Sequence, residues 1–205
     1  MPTDILFDFG AVLIPIDPQL TYQAFEALGA QKELEEQSSI FDQFERGELS
    51  AKEFCCAIQP FFFRKNIFKQ DIADAWNALC YAEINDDTIF LLKRLKREYR
   101  LHLLSNTNEL HIQKIKALCG PFKYKAFLKL FDSVHYSHEI GARKPEAAFF
   151  EKVLADTKLN AEDCFFIDDR EENVEAARAA QIDAYHFNPE EDDIKDLPKL
   201  LKGLD

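Results

Sequence analysis

The sequence has few of the features that would make it a secreted, zinc-bound or membrane protein. Its five cysteines are scattered and form no CxxC pair, which argues against a disulfide framework or a zinc site and favours a reducing cytoplasm. No apolar run approaches the ~20 residues that span a bilayer. The opening Met-Pro-Thr-Asp also lacks the basic and apolar stretches of a signal peptide. We therefore expect a cytoplasmic protein with no membrane partner.

Positive charge is scarce as well. Lys and Arg total 25 against 37 Asp and Glu, so the formal net charge is −12, which argues against nucleic acid as a partner. The same charge repels a phosphorylated substrate at long range, so any anion site must be locally positive. The hydrophobic share of 47% and the 205-residue length suit one α/β domain with a modest insertion.

Short apolar runs with strand character alternate with helical stretches. Four runs lie at 5–9, 101–105, 133–136 and 164–168, and 184–187 is a possible edge strand. Runs that are apolar on both faces and joined through helices predict an α/β fold with a doubly wound parallel sheet. Ligands of such sheets bind at the carboxyl ends of the strands. The polar residues that stand at these ends are Asp8, Ser105, Asp168 and Asp169.

The interval between the first two strands is about 90 residues, far longer than an ordinary crossover. Its pattern predicts helices from Pro18 to about Ala82, and Ser50 with Glu53 forms a capping box that opens one of them. An amphipathic helix then begins at Asp86. We predict a helical cap over 16–85, inserted into an α/β core that comprises 1–15 and 86–205.

The first two polar strand ends each have a structural and a chemical interpretation. Asp8 could cap a turn made by Gly10, but a carboxylate at the tip of a buried strand is costly unless it is paired or binds metal. Asn106 with Glu109 predicts a helix start, whose free N–H groups, with the Ser105 hydroxyl, could also hold a phosphate. Taken singly, the segment after Ser105 favours simple capping.

The remaining two signals are a lysine and a pair of carboxylates. Lys144 precedes Pro145, which suits the first turn of a helix, and it is either solvated or neutralises a phosphate. Asp169 with Glu172 matches a capping pattern, yet adjacent carboxylates at Asp168 and Asp169 exceed what a cap needs and suit Mg²⁺. Together the four signals supply a nucleophile, an anion cradle, a cation and a metal carboxylate, which are the parts that phosphoryl transfer requires.

The segments that carry these residues resemble the four signature motifs of the haloacid dehalogenase (HAD) superfamily. They are FDFGAVL at 7–13, LSNTN at 104–108, RKPE at 143–146 and FIDD at 166–169. Their spacing resembles the subclass with a cap between the first and second motifs. Within it, FERGELS at 44–50 resembles the branch that includes bacterial α-D-glucose-1-phosphate phosphatases. The resemblance implies a Rossmann-like HAD core with an inserted helical-bundle cap.

The resemblance also implies roles for individual residues. Asp8 would attack phosphorus and, with the Gly10 carbonyl and Asp169, hold Mg²⁺, which Asp168 would support or bind through water. Ser105 and the Asn106 backbone would bind the phosphoryl oxygens, and Lys144 would neutralise the nucleophile and the phosphate. Asn173 would orient the loop. The implied activity is hydrolysis of a small phosphorylated metabolite, with sugar phosphates first.

One position departs from the superfamily pattern. Most phosphatases of the superfamily carry a second Asp two residues after the nucleophile as general acid and base, and here that residue is Gly10. Such a group contributes ~10²–10⁴ in rate. The glucose-1-phosphate-type branch resembles this chain in having Gly there, and Asp17 is one candidate substitute.

Two other functions remain open from the sequence. A 2-haloacid dehalogenase uses a similar Asp nucleophile without metal, although Asp168 and Asp169 would repel its carboxylate substrate. A non-catalytic binding or regulatory protein on the same scaffold is the second alternative, and only Gly10 supports it. The sequence does not predict the exact substrate or the oligomeric state. It also does not predict which cap residues contact the substrate, and Arg46 is only a guess at one of them.

Overall fold

The computed structural model describes residues 2–34, 37–63 and 66–203. At its centre is a five-stranded parallel sheet with the order β3-β2-β1-β4-β5. Its strands are β1 (Asp4–Phe7), β2 (Arg100–Ser105), β3 (Ser133–Tyr136), β4 (Cys164–Asp168) and β5 (Asp183–His186). The predicted doubly wound parallel sheet is therefore confirmed, with the fifth run as an edge strand.

Apolar residues on both faces of the central strand explain why the sheet is covered on both sides. Ile5 and Phe7 face one hydrophobic cluster, whereas Leu6 faces another, and all three side chains are fully buried. This alternation follows from the two-residue period of a strand. β1 pairs with β2 and β4 in parallel register, so Phe7 lies opposite Leu103 and Ile167. The residues that follow these strands consequently emerge at one edge of the sheet.

Eleven α-helices surround or extend from the sheet in the described part of the chain. They are α1 (Pro18–Ala27), α2 (Ser38–Glu45), α3 (Ala51–Ile58), α4 (Lys69–Trp76), α5 (Asp86–Leu95), α6 (Glu109–Cys119), α7 (Pro121–Leu128), α8 (Ser137–Ile140), α9 (Ala147–Thr157), α10 (Glu171–Ala179) and α11 (Leu197–Lys202). Among the helices that can be described, none is long and apolar enough to cross a membrane.

The long interval after β1 contains α1 to α4, which share a hydrophobic cluster of their own. Trp76 lies at its centre, with its ring stacked on Phe41 at a centroid distance of 5.1 Å and tilted against Phe54 at 4.9 Å. The predicted capping box of Ser50 and Glu53 is present at the start of α3. These helices lie within the predicted cap; its boundaries at 16 and 85 stay a prediction.

The turn between α2 and α3 rests directly on the core. Gly47 has a φ of +71°, and a Cβ at this position would lie 2.1 Å from the carbonyl oxygen of His138 in α8. Glycine is required there both by the positive φ and by the close approach of the two backbones. Beside it, Glu109 at the start of α6 accepts a hydrogen bond of 2.6 Å from the N–H of Ala51.

Three helix starts differ from the sequence interpretation. α6 begins at Glu109 with Asn108 as its N-cap, so the prediction of Asn106 as the cap is wrong. α9 begins at Ala147, two residues beyond Pro145. α10 is preceded by Arg170, which caps it without a side-chain hydrogen bond, so Asp169 is not the cap. Asn106 and Asp169 directly follow the last residues of β2 and β4, so they belong to the loops at the edge of the sheet and not to the helix ends.

Candidate active site

Three carboxylates converge at the carboxyl ends of two neighbouring strands. Asp8 directly follows β1, and its N–H donates to the carbonyl of Ile167 in β4 at 2.9 Å. Asp168 is the last residue of β4 and Asp169 is the next residue. Each of the three offers an oxygen, and these oxygens lie within 4.8 Å of one another. Parallel pairing of β1 with β4 is the reason that residues distant in sequence form one cluster.

Lys144 is buried at the centre of this cluster, with only 1% of its surface exposed. Its Nζ donates to Asp8 Oδ1 at 2.5 Å, to Asp168 Oδ2 at 2.6 Å and to the carbonyl of Leu104 at 3.0 Å. An ammonium group has three protons, so all of them are used. The ammonium group is therefore held in one position beside Asp8.

Asn106 holds the backbone that carries Lys144. Its Nδ2 donates to the carbonyl of Lys144 and its Oδ1 accepts from the N–H of Lys144, both at 2.8 Å. The neighbouring Ser105 ends β2, is 3% exposed, and donates from Oγ to the Asn106 carbonyl at 3.4 Å. The Asn106 side chain thus positions the lysine, and its backbone and the Ser105 hydroxyl remain the candidates for phosphate binding.

Asp168 is fully buried and engaged through both carboxylate oxygens. Oδ2 accepts from Lys144, while Oδ1 accepts from the N–H of Arg170 and from Nδ2 of Asn173, both at 2.9 Å. With every contact directed at a neighbour in the site, this carboxylate is fixed in orientation. Asp8 and Asp169 have fewer such partners, so their oxygens are freer to bind a ligand.

The electrostatics of the cluster are dominated by burial. Burial raises the pKa of Asp8 to about 7, against the opposing effect of Lys144 and with a further contribution from the other two carboxylates. The pKa of Asp169 is raised by burial and by the charge of Asp168. Burial alone would lower the pKa of Lys144, but the carboxylates of Asp168 and Asp8 outweigh it and raise that pKa. Lys144 therefore remains charged and the carboxylates carry excess negative charge.

The residues of the cluster fit a divalent cation. Three ionised carboxylates and one ammonium leave two negative charges, which a 2+ ion would balance. In addition, Oδ1 of Asn173 is buried without a hydrogen-bond partner among the described residues, an unsatisfied oxygen that a metal-bound water would satisfy. An all-oxygen donor set is the kind that Mg²⁺ prefers. Asp8, Asp169 and the Gly10 carbonyl are the groups available to hold it.

Metal binding is expected to stabilise the protein more at higher pH. Without metal, the raised pKa of Asp8 means that its contribution to stability is present below about pH 4 and is lost as pH rises through about 7. Since a metal binds the deprotonated carboxylates, Mg²⁺ at 100 times its Kd should add about 2.7 kcal/mol of stability. Thermal unfolding with Mg²⁺ or EDTA should show a larger shift in Tm at pH 8 than at pH 5.5. An equal shift at both pH values would contradict this electrostatic description.

A cavity of about 630 Å³ opens above the carboxylates. Its floor includes Asp8, Gly10, Asn106, Lys144 and Asp169, and its roof comes from the helices of the long insertion. The roof residues combine aromatic and polar side chains: Thr21, Tyr22, Phe25, Ser38, Phe41, Asp42, Glu45 and Trp76. The cavity has room for a small phosphate ester, with the phosphoryl group at the floor and the leaving group under the helices.

Two residues of the cavity wall were not nominated from the sequence. Arg143, next to Lys144, donates from Nε to Glu45 Oε2 at 2.8 Å and lies 3.1 Å from Asp42 Oδ1 through Nη1. No signal in the sequence shows that α2 turns Glu45 to the cavity. The guessed Arg46 instead pairs with Glu48 at 2.6 Å and with Glu146 at 2.9 Å, and it does not line the cavity.

Comparison with known proteins agrees with this geometry. The family model described as a haloacid dehalogenase-like hydrolase matches residues 5–181. The D-ribitol-5-phosphate phosphatase of Bacteroides thetaiotaomicron is 28% identical over 198 residues, which cover 93% of each chain. A HAD family enzyme of the same organism, solved as the wild-type protein with magnesium and inorganic phosphate, is 29% identical with a TM-score of 0.82, and the match covers 94% of this chain and 97% of that chain.

A third similar structure is a HAD-like family hydrolase from Porphyromonas gingivalis. It is 26% identical with a TM-score of 0.81, and the match covers 100% of this chain and 98% of that chain. A 2-haloacid dehalogenase from Pseudomonas syringae has 15% identity and a TM-score of 0.65, so that similarity concerns the fold alone. The family model spans most of the chain, and the chain belongs to the haloacid dehalogenase-like hydrolase family.

Proposed function

We propose that this chain is a Mg²⁺-dependent phosphatase that transfers the phosphoryl group of a small phosphomonoester first to Asp8 and then to water. The observation that carries this proposal is the buried Lys144, held between Asp8 and Asp168 at 2.5 and 2.6 Å. This contact keeps the Asp8 carboxylate in one orientation and leaves its other oxygen available for attack. It also places a positive charge beside the phosphorus that Asp8 would attack.

Each of the other site residues has a part in the proposed reaction. Asp8 is the nucleophile, while Ser105 Oγ and the Asn106 backbone bind phosphoryl oxygens. Asp168, fixed by Asn173, holds Lys144 in place. Bound Mg²⁺, held by Asp8, Asp169 and the Gly10 carbonyl and supported by Asp168, would supply positive charge that offsets the charge of the phosphoryl group.

The proposed substrate class is a sugar phosphate or a related polyol phosphate. The cavity roof presents the hydroxyl of Ser38, which could bind a hydroxyl of the leaving group, beside aromatic side chains that could cover its carbon chain. The curated relative named above is a D-ribitol-5-phosphate phosphatase, which is a phosphatase of this class. We further propose that residues 16–85 act as a cap over the site and that the enzyme works in the cytoplasm.

The site disfavours the two alternative functions. A dehalogenase would have to bind a carboxylate substrate beside Asp8, Asp168 and Asp169, with Lys144 already bonded to two of them. Repulsion between these charges opposes that reaction unless a cation neutralises the cluster. A non-catalytic scaffold would have no need to retain a buried lysine poised on the nucleophile. The phosphatase reaction uses the three carboxylates and the lysine together.

The test is phosphate release from a panel of small phosphomonoesters that includes sugar and polyol phosphates. With Mg²⁺ we expect turnover of at least one ester, and with EDTA we expect none, because the carboxylate cluster then repels the substrate. A matched assay for halide release from 2-haloacids is expected to be negative. Folded protein that releases halide with EDTA present, or that releases no phosphate from any ester, would contradict the proposal.

A further inference from the structure

The proposed reaction needs a proton donor that the first motif does not provide. Gly10 has no side chain, and a Cβ at this position would lie 2.7 Å from Cδ1 of Ile16. Ile16 therefore occupies the space that a side chain at this position would enter. Proton transfer to the leaving group must come from another part of the cavity wall.

Two nearby titratable residues have other roles. His111 lines the cavity, but Nε2 lies 3.2 Å from the carbonyl oxygen of Trp76 and Nδ1 lies 3.0 Å from Nδ2 of Asn108. Burial lowers the pKa of His111 to about 4, so the ring is neutral and both nitrogens are engaged. Asp17, the substitute suggested from the sequence, caps α1 by accepting from the N–H of Gln19 and does not line the cavity.

Glu45 is placed differently from these residues. It is the last residue of α2 and lines the same cavity as Asp8 and Lys144. Oε2 accepts from Arg143, which directly precedes Lys144, and the carboxylate also interacts electrostatically with Arg170, which directly follows Asp169. Among the described residues, Oε1 has no hydrogen-bond partner. One oxygen is thus anchored to the core while the other remains available to a ligand.

We infer that Glu45 is the general acid and general base of this enzyme, an inference that rests on the proposed phosphatase function. In the first half-reaction an Asp8 oxygen bonds to phosphorus and the bond from phosphorus to the ester oxygen breaks. That oxygen keeps the electron pair and takes the proton of the Glu45 carboxylic acid. In the second half-reaction water attacks phosphorus, Glu45 takes the water proton, and the bond from phosphorus to Asp8 breaks. Both side chains return to their initial state.

The electrostatic surroundings of Glu45 suit this role. Burial raises its pKa, Arg143 opposes that rise, and the charge of Asp42 adds to it. The charged groups that face the carboxylate are Arg143, Asp42 and Arg170. A carboxyl group with a raised pKa is a better proton donor near neutral pH than one with an ordinary pKa. Arg143 also fixes its direction.

Glu45→Gln distinguishes the role of proton donor from that of structural contact. Glutamine can still accept a hydrogen bond from Arg143, but it cannot donate an acidic proton. The measurement is pre-steady-state release of the leaving group by the Mg²⁺-loaded enzyme, carried out with two substrates. One is p-nitrophenyl phosphate, whose phenolate leaves without protonation; the other is the best alkyl phosphate of the panel. We expect release of the alcohol to slow by ~10²–10⁴-fold and release of p-nitrophenolate to change by less than about threefold.

Asp42→Asn is the matched control, since it removes the other acidic partner of Arg143 from the same helix. Asp42→Asn should slow the release of the leaving group from both substrates by a similar small factor. Equal losses for both substrates in Glu45→Gln would show a structural role and overturn the inference, as would unchanged release of the alcohol. Either result would leave Mg²⁺-dependent turnover by the wild-type enzyme intact, so it would not count against the phosphatase function. Absence of wild-type turnover would overturn both.

Discussion

Asp8→Asn is expected to lower kcat/KM by at least about 10⁴-fold for every ester that the wild-type enzyme hydrolyses, since it removes the nucleophile itself. Asparagine keeps the size of the side chain, and its carbonyl oxygen can still accept the 2.5 Å hydrogen bond from Lys144. The loss should therefore fall on the chemical step and not on folding. Phosphate release under single-turnover conditions measures it.

Stability measurements supply the control for this variant. Removing one of three clustered carboxylates relieves repulsion, so Tm in EDTA should equal or exceed that of the wild type. Asp8→Ala should be equally inactive, which guards against slow conversion of asparagine back to aspartate. If folded Asp8→Asn and Asp8→Ala retained more than about 1% of wild-type turnover, a loss far smaller than nucleophile removal produces, another group would have to be the nucleophile.

Lys144→Met is expected to destabilise the protein by ~3–5 kcal/mol at pH 8, because it leaves Asp8 and Asp168 buried without their cation. The loss should be smaller at pH 5.5. The raised pKa of Asp8 rises further without the lysine, so protonation at low pH removes much of the uncompensated charge. Chemical denaturation in EDTA at the two pH values measures the difference. Phosphatase activity should be lost as well.

Lys123→Met is a matched control for the loss of a lysine that joins two carboxylates. Lys123 pairs with Glu83 at 3.2 Å and with Asp86 at 2.9 Å on the surface, where both acidic side chains are exposed. Its loss should cost less than about 1 kcal/mol and leave activity unchanged. Similar costs for Lys144→Met and Lys123→Met would contradict the view that the buried lysine balances the charge of the site.

The sequence predicted the parts of the site that depend on strand ends. Asp8, Ser105 and Asp168 each end or follow an apolar run, and a parallel sheet brings such residues to one edge. The fold class follows from the same runs. For Lys144 the residues alone left open whether the side chain is solvated or neutralises a phosphate, and its burial became visible with the contacts to two carboxylates.

What the sequence could not predict depends on which way side chains turn in the insertion and in the loops. Glu45 and Arg46 are adjacent, yet only Glu45 lines the cavity, because the end of α2 is oriented by contacts made far away in sequence. Asn106 matched a helix cap, but tertiary contacts with Lys144 outweighed that local preference. Local sequence patterns predicted where the site lies. Which side chains of α1 to α4 line the cavity depends on how these helices pack.

Acid quenching during turnover should trap the covalent bond that the mechanism places between the phosphoryl group and Asp8. Because acyl phosphates survive brief exposure to acid, mass spectrometry of the quenched and digested enzyme is expected to find the peptide that contains Asp8 heavier by one phosphoryl group. Treatment with borohydride should then convert that residue to homoserine. A phosphoryl group on another residue, or rapid turnover with no labelled peptide at any quench time, would contradict the mechanism.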